Sequence, residues 1–354
     1  MRELLEDMVS KGASDLHITA GLPPQLRVDG SVVTTTFPVM TGEETRRLAY
    51  SILNEEQKKR FENEKELDFS FGVQGISRFR ANVFQQRGVT AMAIRQIPYE
   101  IHTFEQLGLP PVARQLINRM NGLVLVTGPT GSGKSTTLAT MLDTINTQRK
   151  GHIITIEDPI EFVHQHKNCI VNQREINSDT HSFPAALKYV LRQDPDVILI
   201  GEMRDRETIQ AALTIAETGH LAMATLHTNS TFETINRIVD VFPSGQQNQI
   251  RSQLSFCLSG VITQQLIPRA RGGGRVLAME IMVCTPGIKA MIRDDKVHQI
   301  YGLMQAGQKH GMQTMNQSLH QAVLNNWITR DEALGRSADI GELLQMLGEP
   351  VGVR

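Results

Sequence analysis

The sequence predicts an α/β protein in two parts: an α+β module over residues 1–97, a linker at 98–108, and an open, mostly parallel sheet covered by helices over 109–354. Three observations predict it. Between 77 and 86 apolar and polar residues alternate, with Phe79, Ala81 and Val83 set against Arg78, Arg80 and Asn82, which suits a sheet with one wet face. Past about residue 103 the pattern changes to helical segments alternating with continuous apolar runs at 123–126, 152–156, 197–200, 221–225 and 276–283. Runs of that kind are buried on both faces, as strands of a parallel sheet are. The run at 123–126 leads into Gly128-Pro-Thr-Gly-Ser-Gly-Lys134-Ser135 and then a helical pattern. This is G-x-x-x-x-G-K-S in the strand–loop–helix setting of a phosphate-binding loop.

The elements follow in order. Residues 1–11 fit a short amphipathic helix with Leu4, Leu5 and Met8 on one face. Strand-like runs at 15–19 and 24–28 come next, the second closed by Asp29-Gly30, a strong turn signal. Thr41 and Glu44 form a capping box that opens a helix expected to run to about residue 64. Strands are expected at 67–73, 77–86 and 89–97. The segment from 97 to 103 reads as a hinge stiffened by Pro98. Helical patterns at 244–265 and about 313–326 close the chain.

Composition narrows the function classes. A chain of 354 residues is too long for one ordinary domain. A net charge of −1 gives no surplus of Lys and Arg for a sequence-independent hold on nucleic acid or on an anionic membrane. No apolar run reaches the roughly 20 residues that span a bilayer. Met1-Arg-Glu-Leu-Leu-Glu-Asp-Met8 carries acids where a signal peptide needs an apolar stretch, so a cytoplasmic location is expected. Cys169, Cys257 and Cys284 stand too far apart for a paired zinc motif or a disulfide framework and read as free thiols.

The chemistry starts at the loop. Gly128, Thr130, Gly131, Ser132, Gly133, Lys134, Ser135 and Thr136 are the candidate ATP-binding residues. The glycines let backbone N–H groups converge on phosphates, and the helix that follows adds the positive end of its dipole. Lys134 is expected to bridge the β- and γ-phosphates, and the Ser135 hydroxyl to ligate Mg²⁺. Strand-end acids are the candidates for the metal and the attacking water: Glu202 after Val197-Ile-Leu-Ile200, and Glu157, Asp158 and Glu161 after Ile153-Ile-Thr-Ile156. In open parallel sheets ligands gather at the carboxyl ends of the strands, so both segments are expected to face the loop. His227, at the end of 221–226, is placed to sense a γ-phosphate, although a satisfied structural histidine is the commoner case. Arg78, Arg80 and Arg95 read as solvated charges or as arginine fingers.

Several blocks together resemble the secretion ATPase superfamily of type II secretion and type IV pili. They are Ala13-Ser-Asp-Leu-His17, Ala93-Ile-Arg-Gln-Ile-Pro98, the phosphate loop, the acidic block at 152–164, Val197-Ile-Leu-Ile-Gly-Glu-Met-Arg-Asp205 and Gly219-His-Leu-Ala-Met-Ala-Thr-Leu-His227. Gly311-Met-Gln-Thr-Met315 is similar to the C-terminal segment of its retraction-type members, and 287–294 keeps Ile288, Ile292 and Arg293 of their signature. The resemblance implies a PAS-like first domain and a RecA-like ATPase domain. It also implies ATP and Mg²⁺ as cofactors and a hexameric ring with its active site at the junction of domains and subunits. By the same resemblance Glu202 is the Walker B glutamate and, with Ser135, a candidate metal ligand, the division of metal and water between the glutamates staying open. Glu161 is the acidic-box glutamate, His227 belongs to the histidine box, and Arg80 and Arg95 are the arginine pair of the first domain.

The function so implied is a motor for type IV pilus retraction and twitching motility. It would work at the cytoplasmic face of the inner membrane and act on a platform protein there. An extension or type II secretion motor, or an accessory retraction paralogue, is the alternative within the superfamily. A nucleotide-gated scaffold that barely turns over ATP is the alternative outside it, and a DNA motor is disfavoured by the charge.

Overall fold

Alternation decides which residues of the N-terminal strands face a core. In the computed structural model, which describes residues 1–28, 30–97 and 100–349, Phe79, Ala81 and Val83 are fully buried while Arg80 and Asn82 are exposed. The turn expected at Asp29-Gly30 and the Pro98 hinge involve Asp29 and Pro98, which lie outside the described residues. The chain divides into two compact units, Met1–Glu100 with Glu161–Val163, and Ile101–Ile160 with His164–Arg354.

The first unit holds an antiparallel sheet built, among the described residues, from β1 (Asp15–Ile18), β2 (Gln25–Val28), β3 (Ser31–Thr34), β4 (Glu66–Val73), β5 (Ser77–Gln86) and β6 (Val89–Ile97), in the order β3-β2-β1-β6-β5-β4. One sheet face joins Leu4, Leu5 and Met8 of the helix Arg2–Ser10, together with Ala49 and Phe61 of the two helices that follow β3, in a common core. The capping box forms as read: Glu44 N–H donates to Thr41 Oγ1 (3.2 Å) and Thr41 N–H to Glu44 Oε2 (2.7 Å). The helix it opens does not reach residue 64. It ends at Tyr50, and a second helix, Glu55–Glu64, starts on its own box between Asn54 and Gln57. An Asn side chain that takes the N–H three residues on starts a helix rather than continuing one.

The second unit is built on β7 (Gly122–Thr127), β8 (His152–Glu157), β9 (Ile170–Glu175), β10 (Val197–Ile200), β11 (Leu221–Leu226), β12 (Leu258–Pro268) and β13 (Arg275–Val283), in the order β13-β12-β7-β11-β10-β8-β9. All pair in parallel except β13, which returns antiparallel beside β12, so 276–283 is not a parallel strand. The apolar runs are continuous because successive residues enter opposite cores. Leu123, Leu125, Ile154, Ile156, Ile198 and Ile200 pack on one side, and Val124, Val126, Ile153, Val197 and Leu199 on the other.

The helix expected over 244–265 is corrected: it ends at Cys257 and β12 begins at Leu258. Val261, Ile262 and Thr263 are β-branched and pack best in a pleated strand. Gly260 also lets β12 close in, since a Cβ there would stand 2.8 Å from Leu116 Cδ2 and 2.8 Å from the Met282 carbonyl oxygen. The strand register aligns the carboxyl ends of β7, β11, β10 and β8 along one edge, with Thr127 opposite Leu226, Ala224 opposite Ile200 and Ile200 opposite Ile156.

Candidate active site

The phosphate loop leaves β7 at Thr127 and enters the helix Lys134–Gln148. Gly128 (φ 138°), Gly131 (φ 79°) and Gly133 (φ 88°) all occupy backbone conformations that favour glycine. Gly128 is further constrained by space, because a Cβ there would lie 2.3 Å from the Gln264 carbonyl oxygen. Gly133 is the N-cap and has no side chain to cap the helix, so the first-turn N–H groups present an anion site at the positive end of the dipole. Lys134 is buried, its Nζ donating to the carbonyl oxygens of Gly128 (2.8 Å) and Pro129 (3.0 Å). Ser132 is buried, Ser135 and Thr136 are half-buried, and Thr130 and Gly131 are exposed.

Sequence reading missed what holds this loop. Gln264 lies one residue beyond the last β12–β7 pair, Thr263 opposite Thr127, whose hydroxyls are 2.7 Å apart. Its side chain is fully buried, and Nε2 donates to the Ser132 carbonyl oxygen at 2.7 Å. The available signal was Thr263-Gln264-Gln265 interrupting an apolar, β-branched run. A helix assignment there hid it.

The sheet edge brings two of the predicted residues into contact. Glu202 follows β10, and His227 follows β11; His227 Nε2 stands 3.0 Å from Glu202 Oε1. Arg204 Nε donates to the same oxygen at 2.5 Å, an interaction that raises the guanidinium's pKa further above its ordinary value. The turn carrying Glu202 is pinned to β11, with Thr225 Oγ1 donating to the Gly201 carbonyl oxygen (2.5 Å) and Met203 N–H to the Thr225 carbonyl oxygen (3.1 Å). Gly201 is small because a Cβ would come within 3.2 Å of Glu157 Cα. Glu157 Oε1 accepts from Thr155 Oγ1 (2.6 Å) and Gln173 Nε2 (3.1 Å), which fixes that carboxylate at the end of β8.

Glu161 is placed differently. It is exposed in the segment between β8 and β9, within the three residues that group with the first unit. Close by in sequence, His164 is buried; its N–H donates to Gln173 Oε1 (2.8 Å), and its Nδ1 has no partner among the described residues. Burial pushes its imidazole down to about 4.

In the first unit Arg80 and Arg95 stand directly opposite each other on β5 and β6. Asp15 on β1 is opposite Arg95, and Arg27 on β2 is opposite Asp15, so one row crosses four strands. Arg95 Nε donates to Asp15 Oδ1 at 2.8 Å, and Arg80 to Asp68 Oδ2 at 2.6 Å. Burial would raise the Asp15 carboxyl, but hydrogen bonds from Ser14 and Arg95 outweigh it and hold the group below its ordinary value. Asp15 was legible only as part of a resembling block. Its role as the acid between two arginines needs the strand register.

A glycine-lined phosphate loop on a parallel sheet, with an acid and a histidine paired at the same edge, defines a phosphate-loop α/β nucleotide-binding protein. The chain belongs to the type II/IV secretion system protein family, whose family model matches residues 1–335. It is 52% identical over 331 residues to the type IV pilus retraction ATPase PilT of Pseudomonas aeruginosa, covering 94% of this chain and 96% of that protein. It is 46% identical over 319 residues to a twitching motility protein of Neisseria gonorrhoeae, covering 90% and 85%. A crystal structure of the pilus retraction motor PilT with bound ADP matches with a TM-score of 0.92 at 52% identity, covering 97% of this chain and 98% of that one. The fold is therefore the expected one, a PAS-like α+β domain followed by a RecA-like domain.

Two outcomes are expected. Gln264→Ala leaves the buried Ser132 carbonyl without its donor and should raise the Kd for ADP about tenfold, measured by calorimetry. An unchanged Kd would show that the loop holds itself. His164 stays neutral in the fold, so the stability from its lowered pKa is complete above about pH 6.5 and is lost as pH falls from 6.5 towards 4. That loss is up to about 3 kcal/mol. Thermal melts across this window should therefore fall more steeply for the native chain than for His164→Gln.

Proposed function

We propose that this chain is an ATP-hydrolysing motor that drives type IV pilus retraction as a hexameric ring on a platform protein at the cytoplasmic face of the inner membrane. The observation that carries the chemistry is the Glu202–His227 pair at the sheet edge where the phosphate loop begins. The work done with that chemistry rests on the likeness to the retraction motor over nearly the whole chain.

The residues divide the task. Loop N–H groups and Lys134 hold the β- and γ-phosphates, with Thr130, Ser132 and Thr136 lining them. Ser135 and Glu202 offer hard oxygens of the type that would hold Mg²⁺, which would supply neutralisation of the phosphate charge. His227 is held by Glu202 and reports the γ-phosphate by hydrogen bonding. Glu161 or Glu202 orients the attacking water. Arg80 and Arg95 of a neighbouring subunit bring positive charge to the γ-phosphate, stabilising the transition state more than the ground state. In this reading 1–97 is the arginine-bearing domain, 98–108 the hinge and 109–354 the ATPase domain. Closure on ATP and opening after hydrolysis, repeated round the ring, move the platform protein.

Purified chain should hydrolyse ATP only with Mg²⁺, and Lys134→Ala should abolish the activity. Arg80→Ala and Arg95→Ala should lower kcat at least tenfold with the Kd for ADP within about twofold, since an arginine finger acts on the transition state. A deletion strain should carry excess, immobile pili. Equal losses of kcat and affinity would count against the arginine role, and normal twitching in the deletion strain would count against retraction.

A further inference from the structure

The mechanism above leaves a deeply buried carboxylate of β13 unused. Glu280 lies in the middle of β13 and is 4% exposed. Its register partner is Thr263, which in turn stands opposite Thr127, the last residue before the phosphate loop. A polar row therefore crosses three strands: Thr127 and Thr263 joined through their hydroxyls at 2.7 Å, then Glu280.

Glu280 serves a helix N-terminus. Its Oε1 accepts the N–H of Thr231, the first residue of the helix Thr231–Asp240, at 2.6 Å. A carboxylate at a helix N-terminus gains from both the orphan N–H and the dipole. Burial pushes the Glu280 carboxyl above its ordinary range, and hydrogen bonding from Thr231 pulls against that shift. An apolar residue would avoid this desolvation, so the acid is explained by what it holds.

What it holds is the turn bearing His227. That turn, 227–230, joins β11 to Thr231, and its inner bonds are Thr228 Oγ1 to Thr234 Oγ1 (2.6 Å) and Asn229 N–H to Glu233 Oε2 (3.2 Å). Both tie the turn to its own helix. Among the bonds described here, the Glu280 contact is the one that ties the start of that helix to the sheet.

We propose that Glu280 is a positioning residue for ATP hydrolysis, setting His227 against Glu202 by anchoring the first amide of the helix that follows the histidine turn. The inference rests on the proposed role of His227 at the γ-phosphate. Glu280→Gln keeps the volume but replaces the charged acceptor of the Thr231 N–H with a neutral amide, which weakens the hold on that helix end.

The test is a double-mutant cycle on the full-length chain, reading kcat for ATP, Kd for ADP and the melting temperature. Glu280→Gln should lower kcat about tenfold with Kd for ADP within about twofold. In a His227→Ala background the same change should cost kcat less than about twofold, because the group it positions is gone. Equal kcat losses in both backgrounds would mean that Glu280 supports the fold generally, and this would overturn the proposal. A wild-type kcat in Glu280→Gln, with His227→Ala impaired, would overturn it while leaving the histidine reading intact. A wild-type kcat in His227→Ala would sink the histidine reading and the proposal with it. Should Glu280→Gln fail to fold, Glu280→Asp enters the same cycle; it keeps both acceptor oxygens and withdraws them by one methylene, and the same outcomes decide.

Discussion

Backbone must come close to phosphate for a loop to bind it with N–H groups, and that constraint starts at the junction of β7 and β12. Thr263 pairs with Thr127, and the next residue on β12 presses its carbonyl oxygen against Gly128 so closely that no side chain fits. Gln264 then reaches forward to the Ser132 carbonyl. The loop is thus gripped at its first residue and again at its fifth, before the helix Lys134–Gln148 begins. Apolar packing on both sheet faces fixes β7 and β12, and the fixed strands hold the loop. Preorganisation of this kind spares the site from reorganising when charge arrives.

The chemistry beyond the loop follows from the same edge. Parallel strands end together, so residues that follow them meet: Glu202 and His227 touch because β10 and β11 are neighbours in register. The first unit uses the other property of sheets. Residues opposite each other across antiparallel strands share a face, and this sets Arg80 beside Arg95 with Asp15 between Arg95 and Arg27. Each arginine keeps an acidic neighbour within its own unit. In the proposed cycle the γ-phosphate competes with those acids for the guanidinium groups, which makes arginine engagement depend on the nucleotide.

Much of this was readable from residue order because the signals are local. The phosphate loop is a contiguous motif, the alternation at 77–86 marks β5, and the strand ends at 200 and 226 locate Glu202 and His227. The misreadings arose where strand pairing or a local cap overrides periodicity. Residues 258–268 directly follow a helix with no break signal between them, yet β7 and β13 draw them into a strand. Asn54 restarts a helix that periodicity alone would continue. The strands Ser31–Thr34 and Ile170–Glu175 lie at sheet edges, where one open side tolerates polar residues and blurs the pattern. Gln264, Asp15 and Glu280 were not legible as functional, because each matters through a partner on a distant strand or helix.

The central claim is that the loop of one subunit is completed by Arg80 and Arg95 of another. Mixing two inactive variants tests it directly: Lys134→Ala, with intact arginines, and the double variant Arg80→Ala, Arg95→Ala, with an intact loop. If the arginines act across subunits, co-assembled rings contain sites with both halves intact, and ATP hydrolysis returns, peaking at intermediate mixing ratios. If no ratio of the two variants hydrolyses ATP above the sum of the separate proteins, although mixed rings are shown to form, the arginines do not complete a neighbour's site and the account fails.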